Sequence, residues 1–298
     1  MEMKSPSELF DAYYYAHDCG EPYLRNETWL NQFALFADRI ASTIQPGSVL
    51  DAGCAWGFLV EALRQRNIEA WGVDISEYAI QNVHPDYRPY CRVGSITEPF
   101  DHPHYDLIVC IEVLEHMQKP EAEEAVANFC NHTDDILFSS TPYNYKEATH
   151  FNVQPPEYWA ECFARHSFFR DVDFDASFIT PWAVRFQRKD PTILRLVRDY
   201  ERHLMPLWKE NVDLRTLALQ TRNQLDLYET RISGLEQENR TLHQENQSLQ
   251  TDLQQLTGQV AEMDRNLVET RARLQDILNS HRYKLAQLLP KPPKRLNK

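Results

Sequence analysis

Apolar positions along the chain change their period in a way that separates two kinds of structure. In residues 28–44, Trp29, Leu30, Phe33, Leu35, Phe36, Ile40 and Ile44 recur mostly at three- and four-residue steps, which predicts an amphipathic helix. Pro46-Gly47 ends it. Beyond that point, short apolar runs predict strands over residues 49–52, 70–73, 90–93, 105–111 and 136–140. Helix-period runs fall between them, over residues 58–66, 77–82, 121–130 and 156–165. Strands alternating with helices at this spacing imply an α/β fold with a mostly parallel sheet covered on both faces. Two aromatic-rich runs, 168–174 and 178–186, are expected to add the antiparallel pair that closes the sheet.

The period then changes to seven. After a helical stretch near 191–209, Leu225, Ile232, Asn239, Asn246, Leu253, Val260, Leu267 and Leu274 occupy a positions. Tyr228, Leu235, Leu242, Leu249, Leu256, Met263, Thr270 and Ile277 occupy the d positions. Consecutive heptads of this kind predict a coiled coil, and no second helix of matching length is available in the chain, so self-association is expected. Asn at consecutive a positions favours two parallel strands. Acidic Glu236, Glu238, Glu245 and Asp252 at e and g positions, set against Arg271 and Arg273, leave an antiparallel pair open.

Charge and composition narrow the function. A net charge of -13 argues against general affinity for a phosphate backbone, and hence against nucleic acid as a partner. The six cysteines, Cys19, Cys54, Cys91, Cys110, Cys130 and Cys162, show no metal-knuckle or disulfide spacing and fit reduced thiols in a cytoplasmic protein. No apolar run approaches the ~20 residues of a membrane span. The tail carries Arg282, Lys284, Lys291, Lys294, Arg295 and Lys298 around Tyr283, Leu285, Leu288 and Leu289. That composition suits docking on a glycosyltransferase or on the anionic inner membrane face, or else a solvated tail.

The run Val49-Leu50-Asp51-Ala52-Gly53-Cys54-Ala55-Trp56-Gly57, followed by Trp71-Gly72-Val73-Asp74, joins a buried strand to a helix through small residues and places an acid at each strand end. It resembles the first two cofactor motifs of class I S-adenosylmethionine-dependent methyltransferases, and the likeness extends over roughly residues 28–190. It implies a Rossmann-like sheet with one antiparallel strand, and S-adenosylmethionine as cofactor. Gly53, Cys54, Ala55 and Gly57 would line the cofactor loop, with Asp51 facing the methionine ammonium and Asp74 the ribose hydroxyls, Ile75 beside it. A dinucleotide-binding dehydrogenase fits less well, since its glycine fingerprint lacks an acid at the strand end. Two departures stand out. Ala55 replaces a common glycine, which is tolerable unless the backbone needs a positive φ. Ser95 stands where the family commonly has an acid contacting the adenine amine. Arg25, beside the aromatic cluster Tyr13, Tyr14, Tyr15 and Tyr23, would pair with the cofactor carboxylate under an N-terminal lid.

The segment from Tyr105 to Met117, ending Glu112-Val113-Leu114-Glu115-His116, resembles the fourth-strand motif of the same superfamily. Ligands in open α/β sheets sit beyond the carboxyl ends of the strands, so these groups should line the acceptor side, with Ser139-Ser140-Thr141-Pro142 and then His150. One mechanism has His116 or His150 deprotonate an acceptor hydroxyl, with Glu112 beside them. In the other, Glu112, Glu115, His116 and His150 hold a divalent metal, as in the similar small-RNA 2'-O-methyltransferases; a metal is possible but not expected. Structural roles compete too, Glu115 as a helix cap and His116 as a packed, satisfied residue.

The expected organisation is a lid segment (1–27), a methyltransferase domain (28–190), a helical linker (191–210), a coiled coil (211–280) and a basic tail (281–298). The resemblance to coil-bearing methyltransferases of bacterial surface-polysaccharide assembly implies a dimeric enzyme at or near the inner membrane face, methylating a sugar hydroxyl of a glycan or glycolipid precursor. A small-molecule acceptor, RNA 2'-O-methylation and a non-catalytic scaffold are the alternatives.

Overall fold

The computed structural model describes residues 9–19 and 21–288 of the chain. Met1–Trp208 and Lys209–Lys298 form two compact units. In the first, strands β1 (Ser48–Ala52), β2 (Glu69–Asp74), β3 (Cys91–Val93), β4 (Leu107–Ile111), β5 (Asp135–Ser139), β6 (Phe168–Arg170) and β7 (Val184–Arg188) form one sheet in the order β3-β2-β1-β4-β5-β7-β6. The strands from β3 to β5 pair in parallel. β7 alone runs against its neighbours, pairing antiparallel with β5 and β6. This is the Rossmann-like class I methyltransferase sheet. Because the order reverses direction after β1, the carboxyl ends of β1 and β4 open a crevice between their loops.

The helices of this unit are α1 (Ala12–His17), α2 (Glu27–Thr43), α3 (Phe58–Arg64), α4 (Glu77–Gln81), α5 (Lys119–His132) and α6 (Pro156–Ala164). Strand side chains alternate between faces, so Val49, Leu107, Val109 and Leu137 pack with Phe36, Ile40, Leu59 and Leu63 of α2 and α3. Leu50, Ile108, Cys110 and Phe138 face the other way, against Phe129 of α5 and Phe163 of α6. Both faces are buried, which is why these strands read as continuous apolar runs. Phe163 stacks on Phe186 of β7 at 4.3 Å between ring centroids, tying the antiparallel strand to the helical layer.

The closing strands are shorter than expected. β6 ends at Arg170, and β7 begins only at Val184, because Thr180-Pro181-Trp182 belongs to a turn that delivers Trp182 to the site. A single helix, α7 (Ile193–Asn279), runs through the expected linker and coil segments and contains Pro206. α8 (His281–Leu288) follows. Lys291, Lys294, Arg295 and Lys298 of the expected basic tail lie outside the described residues. Among the described residues no helix is long and apolar enough to cross a membrane.

Candidate active site

The loop from β1 into α3 closes on itself. The amides of Gly53 and Cys54 both donate to the carbonyl of Val73, at 2.8 and 3.1 Å, and Gly57 donates to the carbonyl of Cys54 at 2.8 Å. Asp74 at the end of β2 braces this turn. Its Oδ2 accepts the Ala55 amide and its Oδ1 the Ser76 amide, each at 2.8 Å. Ala55 has φ +45°, the one circumstance in which alanine is costly here, and the Asp74 bond holds it there. Gly53, at φ +86°, has a further reason to be glycine: a Cβ would fall 2.3 Å from Cγ2 of Val113. The loop is thus packed against the end of β4.

Two buried acids meet beneath this loop. Asp51 and Asp74 are both buried, and neither forms an ion pair with a cation among the described residues. Burial, and then the charge of Asp74, pushes the Asp51 carboxyl up to about 8. Burial raises Asp74 too, but the amides of Ser76 and Ala55 oppose the rise. Paired buried carboxylates without a counter-charge suit a ligand that brings a cation and hydroxyl donors. Tyr15, Tyr23 and Trp56 cover them, with Tyr23 stacked on Phe58 at 5.2 Å. Burial raises both phenols, with the charge of Asp74 the next cause at Tyr15 and that of Asp51 at Tyr23. Trp56 Nε1 is buried and has no hydrogen-bond partner among the described residues.

Arg25 is engaged by a carboxylate of the domain itself. Its guanidinium is committed to Glu61 of α3 through two hydrogen bonds of 2.6 and 2.7 Å, rather than held free for a cofactor carboxylate. The planar fork matches a carboxylate, and Glu61 is buried enough to need the charge. Ser95 bonds to Thr97 at 2.8 Å, and Ile75 is half-buried between Asp74 and Ser76.

At the opposite rim, Glu112 and Glu115 part company. Glu112 follows β4 with φ +52°, and its Oε1 accepts the indole N–H of Trp182 at 2.9 Å. Glu115 is fully buried. Its Oε1 accepts the Thr141 amide at 3.3 Å, and burial followed by the Glu112 charge raises its pKa, opposed by Ser140 and the Thr141 amide. His116 Nδ1 faces the carbonyl of Thr149 at 3.2 Å, which places the proton there and leaves the Nε2 lone pair 3.4 Å from the Tyr14 hydroxyl. Burial and then the neighbouring His150 lower His116 to about 4, so the ring is neutral at ordinary pH. His150 packs edge-on to His116, ring centroids 4.5 Å apart, with Nδ1 donating to the Asn144 carbonyl at 2.8 Å and Nε2 3.1 Å from Glu147. Glu115, His116 and His150 offer one ligand atom each within 4.8 Å of one another. Glu112 is not in that group, and its carboxylate accepts from Trp182 instead.

Two arrays therefore flank one crevice, a glycine-rich loop over paired acids and a polar rim holding a neutral histidine. A family model described as a methyltransferase domain matches residues 24–175. The chain belongs to this family. Its domain is of the class I, S-adenosylmethionine-dependent kind, and the paired acids and the loop fit that cofactor, as does the Trp56 N–H that has no partner among the described residues. The ubiquinone biosynthesis O-methyltransferase of Azoarcus sp. strain BH72 is 32% identical over 121 residues, 37% of this chain and 50% of that protein. The enzyme of the same name from Alkalilimnicola ehrlichii is 32% identical over 108 residues, 33% of this chain and 43% of that one. The chain thus spans about half the length or less of these curated relatives. Among solved structures, magnesium protoporphyrin IX methyltransferase from Synechocystis, with S-adenosylmethionine bound, is 18% identical. It aligns with a TM-score of 0.46 over 63% of this chain and all of that one.

Proposed function

We propose that this methyltransferase domain moves a methyl group from S-adenosylmethionine to a sugar hydroxyl of a surface glycan or glycolipid precursor, with His116 as the base. The observation that carries the reading is the His116 ring itself: buried, neutral, its Nδ1 proton tied to Thr149, its Nε2 lone pair turned toward the Tyr14 hydroxyl. When bound, S-adenosylmethionine supplies a sulfonium-activated methyl group. Asp74 and Asp51 would hold it from below, against its hydroxyls and ammonium, while Tyr15, Tyr23 and Trp56 exclude water. His116 Nε2 would take the acceptor hydroxyl's proton once that hydroxyl displaces the Tyr14 hydroxyl 3.4 Å away, and Thr149 keeps the ring in the tautomer this needs. The acceptor class is supported by Tyr143 and Tyr145, exposed aromatic faces on the loop beside the rim, and by the net charge of -13, which disfavours RNA. We also read the heptad-bearing part of α7 as pairing with a second copy of the chain.

A second reading is favoured by one observation, the convergence of Glu115, His116 and His150. These three would hold a divalent cation, whose chemistry would be to lower the acceptor hydroxyl's pKa. Offering methyl-labelled cofactor with glycan precursor extract and, separately, with small RNA tests the acceptor. Label in the glycan fraction supports the proposal, and label in RNA alone overturns it. Transfer that survives thorough chelation excludes the metal reading, and transfer restored only by an added divalent cation favours it.

A further inference from the structure

The apolar stripe of α7 does not begin where the first strong heptads do. Counted back in sevens from Leu225, the a positions are Ala218, Asn211, Leu204 and Val197, in the same phase. The d positions are Thr221, Leu214, Leu207, Tyr200 and Ile193, so six of these nine added positions carry a large apolar side chain. These six side chains are 40–79% exposed, far more than apolar residues need be on a helix attached to a folded domain. Pro206 falls at a c position, off the stripe, and the helix continues through it. A seam held in one phase from Ile193 to Ile277 has the seven-residue period of a supercoiled pair, not the 3.6-residue drift of a lone solvated helix.

We propose that α7 pairs along its whole length, from Ile193 onward, with α7 of a second copy of this chain, in parallel and in register. This rests on the pairing read above and adds its extent, direction and alignment. Two observations select the occupant. Parallel, in-register pairing sets Asn239 against Asn239 and Asn246 against Asn246 of the second copy, where each amide meets a complementary amide. The antiparallel alignment that matches Glu236 and Glu238 with Arg271 and Arg273 sets Asn246 against Met263, leaving a buried amide without a partner. Charges agree. Each g position of a parallel pair faces the e position five residues on in the other chain, so Glu210 meets Arg215, Arg231 meets Glu236 and Glu238 meets His243. No g-to-e' pair from Leu196 to Leu278 brings like charges together.

The test uses the full chain carrying Leu204→Cys, Leu225→Cys or Leu274→Cys singly, oxidised mildly and run without reductant, with the unsubstituted chain as background for the native thiols. Sedimentation equilibrium gives the number of chains. Two chains, with all three variants cross-linking to dimer well above background, are expected. A monomer overturns both the pairing and this inference. Two chains with no cross-link at any position leave the pairing standing and overturn the parallel register. Cross-links at 225 and 274 but not at 204 overturn the extension toward Ile193, and three chains overturn the two-stranded assignment.

Discussion

Replacing Gly53 with alanine should damage the domain twice over, and the two costs can be separated. At φ +86° an L side chain is strained, at about 1–2 kcal/mol. The new methyl would also sit 2.3 Å from Cγ2 and 3.0 Å from Cγ1 of Val113, an overpacking cost of about 1–3 kcal/mol. Val113 is only half-buried and can give a little, which places the sum near ~3 kcal/mol, within a range of about 2–5. For a unit of this size that is a fall of roughly 6–12 °C in Tm. Tryptophan fluorescence is the appropriate probe, because every Trp lies at or before Trp208 and the signal follows the first unit alone. Adding Val113→Ala removes both clashing carbons, so the double variant should recover the steric share, a coupling of about 1–3 kcal/mol in the mutant cycle. A Gly53→Ala loss below ~0.5 kcal/mol, or additivity of the two changes, would refute the packing of the cofactor loop on the end of β4.

Other consequences follow from the charges. Folding raises the Asp51 pKa to about 8, so its contribution to stability is fully present below the ordinary carboxylate pKa of ~4 and is lost as pH rises to about 8. Asp51→Asn should therefore raise Tm, by an amount that grows from about pH 5 to pH 8; a pH-independent gain would count against it. His116 carries the opposite sign: its contribution is full above ~6.5 and fades as pH falls toward about 4. The acid limb of the methyl-transfer profile should accordingly lie near pH 4, and a limb near ~6.5 would remove His116 from the base role. Arg25→Met should cost about 1–3 kcal/mol by stranding Glu61, the partial exposure of Arg25 keeping it below the cost of a fully buried pair. Cofactor affinity measured by calorimetry should move less than about threefold, whereas a loss of about tenfold would return Arg25 to the cofactor carboxylate.

The alternation of strand and helix was legible because both sheet faces are buried, so each strand appears as an apolar run bounded by turn residues. The acids Asp51 and Asp74 were legible for a related reason: they end such runs, and strand ends face the crevice. Contacts between distant residues were not. Arg25 and Glu61 are far apart in the chain, and nothing local to Arg25 distinguishes a carboxylate on α3 from one on a ligand. Tyr14 and His116 lie 102 positions apart, and Glu112 and Trp182 are separated by 70. Only folding shows that Glu112 accepts from Trp182 while Glu115 is buried against Thr141. The run 178–186 has strand-like aromatic density, yet Pro181 breaks it and the ladder starts at Val184. Ala55 showed its left-handed backbone only in three dimensions, while the seven-residue phase of α7 was visible in the sequence but started earlier than its first strong heptads suggested.

The proposed function puts the cofactor at Asp74 and the acceptor at His116. Calorimetric titration of S-adenosylmethionine into the full chain, its Asp74→Asn variant and its His116→Ala variant tests that placement most directly. Asp74→Asn should weaken binding about tenfold or more, ~1.4 kcal/mol, while His116→Ala should leave it within about twofold. An unchanged affinity for Asp74→Asn, or a loss at His116→Ala as large as that at Asp74, would contradict it.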